Sequence, residues 1–164
     1  MTAPFTIRGA RPSDTPAILR LLRGLAEYEH LAQEVTASET GLHDALFAPH
    51  PRIQAIVASI GNESVGLALY YYTFSTFKLC PNLFLEDLFV ESRHRGSGIG
   101  LALMRHLAQC AVSERCARME WRVLNWNQPS IDFYRRIGSR PIEGWHTRQL
   151  GGDALAALAE GNLS

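Results

Sequence analysis

The chain is 164 residues long, 46% hydrophobic and 20% charged, a composition that fits one soluble globular domain burying roughly 70% of its unfolded-chain surface. Sixteen basic residues balance sixteen acidic ones, so no global field draws it to nucleic acid or an anionic membrane, and no stretch approaches a membrane span or an apolar signal core. Cys80, Cys110 and Cys116 form no CxxC pair or Cys/His cluster, which argues against a metal and for reduced thiols in a cytoplasmic protein.

Phe5–Arg8 reads as a first strand, and Arg11–Asp14 as turn and cap for a helix whose apolar face is Ile18, Leu21, Leu22 and Leu25. Glu29 to about Pro51 is less regular, with short helices. Two strands follow, Gln54–Ile60 and Ser64–Thr73, joined by a Gly61-Asn62 hairpin turn. Phe74–Asn82 reads as a loop and Leu83–Val90 as a central strand. A helical period runs from Gly98 to Glu114, burying Ile99, Leu103, Met104, Leu107, Ala108 and Ala111. Met119–Leu124 is another strand. Asn127 caps a short helix through Ile137, with Pro129 tolerated in its first turn and Gly138 ending it. A last strand near Trp145–Leu150 and an Ala/Leu tail helix complete one α+β domain spanning 1–164.

The most informative stretch is Leu83–Gly100, LFLEDLFVESRHRGSGIG. Strand alternation puts Phe84, Glu86, Leu88 and Val90 on one face and Leu83, Leu85, Asp87 and Phe89 on the other. Each apolar face then holds one carboxylate, costly to bury unless paired or used. The run Arg95-Gly96-Ser97-Gly98-Ile99-Gly100 leads from this strand into a helix. Its glycines allow close backbone approach, and successive N–H groups at a helix N-terminus suit a pyrophosphate. A P-loop would need Gly-Lys-Ser/Thr, which is missing. A dinucleotide fold needs GxGxxG, whereas this spacing is GxGxG and a hairpin precedes the strand.

Arg95-x-x-Gly98-x-Gly100 resembles the R/Q-x-x-G-x-G/A signature of the GNAT superfamily of N-acetyltransferases. Further segments resemble the diamine (spermidine/spermine) and thialysine acetyltransferases in the same order: Ile18-Leu19-Arg20-Leu21, Ala26-x-Tyr28-Glu29, Tyr70-Tyr71, Leu85-Glu86-Asp87, Trp126-Asn127-x-Pro129-Ser130-Ile131-x-Phe133-Tyr134 and Glu143-Gly144-Trp145. The resemblance covers nearly the whole chain. It implies an α+β fold with a central mixed, mostly antiparallel twisted sheet flanked by helices, acetyl-CoA as cosubstrate, a small-molecule amine as acceptor and a homodimer.

Residue by residue, the resemblance places Leu88, Phe89 and Val90 against pantetheine and the acetyl carbonyl. It places Arg95, Gly96, Ser97, Gly98, Ile99, Gly100 and Leu101 at the pyrophosphate, and Asn127, Gln128, Pro129 and Ser130 along the cofactor. Tyr134 is implied as general acid and Glu86 as the carboxylate that takes the amine's proton through water. Acceptor positions fall on Tyr28, Glu29, Glu86, Glu120, Trp121, Arg122 and Glu143. Two departures weaken a specific polyamine assignment: an acidic position of polyamine-acetylating relatives is Thr76 here, and the segment between Gly138 and Glu143 is shorter. A protein or peptide amine acceptor and an idle acyl-CoA-binding module are the alternatives.

The chemistry is consistent with those roles. An alkylammonium with pKa ~10.4 must lose a proton before it attacks, a backbone N–H such as that of Leu88 can receive the oxyanion, and a thiolate with pKa ~8.5 can leave by accepting a Tyr proton.

Overall fold

Five strands form one sheet, in chain order β1 to β5, in the computed structural model, which describes residues 4–161. The chain divides into two units, one through Leu124 and one from Asn125. The first holds β1 (Thr6–Gly9), α1 (Thr15–Tyr28), α2 (Glu39–Phe47), β2 (Gln54–Ile60), β3 (Glu63–Ser75), β4 (Cys80–Val90), α3 (Ile99–Ser113) and β5 (Met119–Trp121). The second holds α4 (Gln128–Arg136) and α5 (Gly152–Ala159). β1 to β4 are antiparallel neighbours, and β5 runs parallel to β4 after the α3 crossover. The sheet is therefore mixed and mostly antiparallel, as expected.

Opposite faces of the sheet are buried by different helices. Ile18, Leu21 and Leu25 of α1 and Leu42 and Leu46 of α2 pack with Val57, Leu67, Leu69 and Phe89. Each such fully buried aliphatic side chain contributes roughly 1.5–3 kcal/mol. Against the other face lies α3, whose buried residues are Ile99, Leu103, Met104, Leu107 and Ala111; Ala108, expected among them, is exposed. Gly66 sets how closely α3 approaches, because a Cβ there would lie 3.1 Å from Ala58 Cβ and 3.2 Å from Ile99 Cγ2.

Three expected boundaries move. The Phe74–Asn82 loop is instead a continuation of the β3–β4 hairpin, with Phe74 opposite Pro81 and Ser75 opposite Cys80. Only residues 76–79 turn, closed by Leu79 at φ 52 and by the Lys78 N–H donating to Ser75 Oγ at 3.3 Å. Pro81 is compatible with the strand because the group it uses is its carbonyl, which accepts the Ala117 N–H at 2.9 Å. Next, β5 is shorter than Met119–Leu124. Finally, Trp145–Leu150 is not a strand and is exposed throughout. Among the described residues, its own unit offers no strand to complete its hydrogen bonds, and Pro141 and the positive φ of Gly144 interrupt the extended run before it.

Candidate functional site

β4 does not keep strict alternation. Leu69 pairs with Asp87 and Tyr70 with Leu85, so Glu86 is an extra residue, a β-bulge. The pairing places Asp87 on the face of Leu69 and Phe84 on the face of Tyr71, and these two β3 residues share one face. Glu86 joins them, its Oε2 accepting from the Tyr71 hydroxyl at 3.2 Å. Phe84, Glu86, Asp87 and Phe89 thus share the α1 face, while Leu83, Leu85, Leu88 and Val90 share the α3 face. The expected separation of Glu86 and Asp87 onto opposite faces is corrected by that one added residue.

The bulge also reverses which edge of β4 each amide addresses. Before it, the Leu83 N–H donates across to β5, at Arg118 O (3.1 Å); after it, the Glu91 N–H donates to Val65 O of β3 (3.0 Å). Alternation back from Glu91 turns the Leu88 and Val90 amides toward the β5 edge. β5 pairs with β4 only from Leu83 to Leu85, so beyond Leu85 these groups face a gap in the sheet.

At the end of β4 the glycine run enters α3. Gly96 and Gly98 have φ 74 and 89, values that L side chains rarely adopt. Gly98 is the helix N-cap with no side-chain cap, and the first turn contains no acidic residue. Cβ atoms added at Gly96 or Gly98 would meet nothing within 4 Å. The Ser97 hydroxyl is turned back onto the His94 carbonyl. What remains is an open, uncapped helix start whose N–H groups are free to take an anion.

The carboxylates differ in environment. Glu86 has 39% of its side chain exposed and pairs with Arg122 at 3.2 Å, whose guanidinium lies 5.5 Å from the Phe84 ring centroid. Asp87 is the desolvated one: burial, then the charges of Glu86 and Glu29, push its pKa up to about 6, with Arg122 opposing. Glu29, just past the end of α1, is raised by burial. Beside it, the Tyr28 ring lies under the Arg95 guanidinium, 4.3 Å from centroid to Cζ.

In the second unit, the Asn127 side chain is buried, and its Oδ1 caps α4 by accepting the Ser130 N–H at 3.3 Å. Pro129 sits in the first turn, as the sequence indicates. Tyr134 is half-buried, with its ring 5.3 Å from that of Phe133. Ser139 N–H bonds back to the Tyr134 carbonyl at 3.1 Å, with Gly138 at φ 92 ending the helix.

Residues 16–138 match the acetyltransferase (GNAT) family. The chain belongs to the GNAT acetyltransferase family. It is an N-acetyltransferase. The chain of this acetyltransferase is 36% identical to a thialysine N-epsilon-acetyltransferase of Sus scrofa, over 96% of its own length and 98% of the relative. It is 34% identical to a human spermidine/spermine N(1)-acetyltransferase-like protein 1 over 94% of its length, which is 24% of that larger protein. Among solved structures, an integron cassette protein from the mobile metagenome of V. cholerae superposes with a TM-score of 0.80 at 30% identity, covering 95% and 98% of the two chains.

Of the positions singled out in the acetyltransferase's sequence, the first unit groups Tyr28, Glu29, Glu86, Arg95 and Arg122 around the α1 face of the bulge. Glu120 lies opposite Phe84 on that face but is paired with Arg118 at 2.9 Å. Trp121, opposite Leu85, belongs to the α3 face. Tyr134, Asn127, Gln128, Pro129, Ser130 and Glu143 lie in the second unit, with Glu143 exposed. Sequence reasoning left out Asp87; two adjacent carboxylates in an apolar strand were the available signal, and strict alternation directed it away. Among the described residues, no helix is long and apolar enough to cross a membrane, and no group of three His, Cys, Asp or Glu is arranged to hold a metal.

Proposed function

We propose that this acetyltransferase moves the acetyl group of acetyl-CoA to a primary amine of a small molecule, a polyamine or diamine or a thialysine-like amino acid, by direct attack in a ternary complex. The observation that supports it best is the juxtaposition of an open, uncapped glycine turn with the gap beyond Leu85. These residues fit the cosubstrate: the turn offers unpartnered N–H groups for a diphosphate, and no carboxylate in the first turn of α3 repels it. Bound acetyl-CoA supplies the activated acyl carbonyl. In this reading the backbone of Leu88, Phe89 and Val90 would hold its arm and residues 95–101 its diphosphate, and Asn127–Ser130 are the further cofactor positions that the family resemblance assigns.

The Leu88 N–H, directed into the gap, stabilises the oxyanion that develops during transfer. Glu86, half in water and hydrogen-bonded to Tyr71, takes the ammonium proton through solvent. The Tyr134 hydroxyl donates a proton to the departing thiolate. Asp87 and Glu29 supply negative charge for the cationic acceptor, whose binding offsets the cost of desolvating them. Glu120, Trp121, Arg122 and Glu143 complete the acceptor positions of this reading.

The relatives' names support an amine acceptor without choosing among them. The same reading takes residues 1–164 as one catalytic domain, since the family match crosses Leu124, and takes the enzyme as cytoplasmic and homodimeric. Exposed Phe74, Phe77 and Leu79 at the hairpin tip offer apolar surface that a second copy would cover. Thiol release from acetyl-CoA over polyamines, thialysine-like amino acids and lysine tests the function. Saturable turnover with one class is expected; tight CoA binding with no turnover on any amine would overturn it.

A further inference from the structure

The signature arginine does something in this fold that a phosphate contact does not require. The Arg95 side chain runs to the end of β4, where its Nε donates to the Val90 carbonyl at 2.9 Å. Its guanidinium lies over the Tyr28 ring at 4.3 Å and 5.6 Å from the Phe89 ring centroid. The Val90 carbonyl is on the β5 edge of β4, the edge that faces the gap. One planar cation therefore ties three things together: the last residue of α1, the final carbonyl of β4 and the start of the glycine turn. Phe89 is itself held against α1, where a Cβ at Gly24 would come within 3.1 Å of the ring.

We propose that Arg95 is a positioning residue, a strut that fixes Tyr28 and the end of β4 relative to each other for acceptor binding and transfer. Its side chain is not the main source of diphosphate affinity, which comes from backbone N–H groups of the turn. The geometry uses properties peculiar to arginine. A guanidinium stacks on an aromatic face while an edge nitrogen donates in its own plane; an ammonium has neither the plane nor the edge.

The inference rests on the acetyl-transfer reading, and its test separates the two. CoA affinity at two ionic strengths, amine KM and kcat, and thermal melting are measured for the wild type, Arg95→Met, Arg95→Lys, Tyr28→Leu and the Arg95→Met/Tyr28→Leu double variant. Arg95→Met is expected to lower kcat/KM for the amine by ~10-fold or more, as loss of a stacked, charge-assisted contact implies. Its CoA Kd stays within about threefold, with unchanged salt dependence. Arg95→Lys restores little. In the Tyr28→Leu background the Arg95 substitution costs much less, in melting temperature as well as in kcat/KM. A CoA Kd weakened more than ~10-fold with a shallower salt slope, or additive effects of the two substitutions on both readouts, would overturn the strut. Absence of turnover in the wild type would sink the transfer reading alone, since the Arg95–Tyr28 coupling remains readable in the melts.

Discussion

Asp87→Asn isolates the electrostatic cost built into the bulge. Burial raises the Asp87 pKa from 3.8 to about 6. The folded protein therefore binds a proton at Asp87 more readily than the unfolded chain does. A group with a raised folded pKa contributes stability that is complete below its unfolded pKa and is lost as pH rises through the folded one. The window runs from pH 3.8 to about 6. A displacement of that size is about 3 kcal/mol of stability forfeited once both states are ionised. Most of the loss comes below pH 5, so about 1.4 kcal/mol of it falls between pH 5 and pH 8.

Asparagine keeps the shape and has no charge to desolvate. Urea unfolding of both proteins at pH 5, 6, 7 and 8 gives the difference, with titrating groups that are not coupled to Asp87 cancelling between them. The variant's advantage over the wild type is expected to grow by about 1.4 kcal/mol from pH 5 to pH 8, equivalent to a melting-temperature gain of roughly 3–6 °C. A difference that stays flat within about 0.5 kcal/mol across that range would mean that Asp87 is not desolvated and that the α1 face of the bulge is wet.

Gly66→Ala forces a methyl group against Ala58 and Ile99, which should cost about 1–3 kcal/mol in thermal or urea unfolding and weaken CoA binding by lifting the first turn of α3. Arg115 holds the left-handed position that ends α3, φ 55, with Cys116 N–H bonded back to Ala111 O at 2.8 Å; Arg115→Gly should therefore raise stability by about 0.5–1 kcal/mol, read as a higher melting temperature. Tyr134→Phe should reduce kcat by ~10²-fold while the CoA Kd, measured by calorimetry, stays within about threefold; collapse of CoA affinity would instead assign the hydroxyl to binding.

How much of this was legible in the sequence depends on whether the deciding interaction is local. Arg11–Asp14 and the period of Ile18, Leu21, Leu22 and Leu25 define α1, Gly61-Asn62 defines the β2–β3 turn, and Asn127 and Pro129 define the start of α4; each signal lies within a few residues of what it controls. Trp145–Leu150 has strand composition, but a strand also needs a partner edge, which composition does not reveal. Phe74–Asn82 reads as a loop, and Pro81 within it is compatible with the strand because its carbonyl is the group in use. For the site, the glycine turn and the resemblance supplied the residues proposed to hold the diphosphate. The adjacent carboxylates Glu86 and Asp87 were the one trace of their grouping, and strict alternation parts them, because a bulge is a mismatch between two strands that neither strand's pattern shows alone.

That mismatch links the site's parts. With regular alternation, the Leu88 N–H would point into β3, where the ladder would consume it, and Asp87 would lie under α3, away from Glu86. One extra residue at Glu86 moves Asp87 to the α1 face, within reach of the Glu29 charge, and moves the Leu88 donor to the edge that β5 vacates after Leu85. Charge for a cationic acceptor and a donor for a carbonyl oxygen thus arise from the same irregularity, on opposite sides of one strand. The desolvation cost at Asp87 follows from the same shift. Folding alone would favour an apolar residue there, so a carboxylate at that position makes physical sense when an ammonium is brought to it.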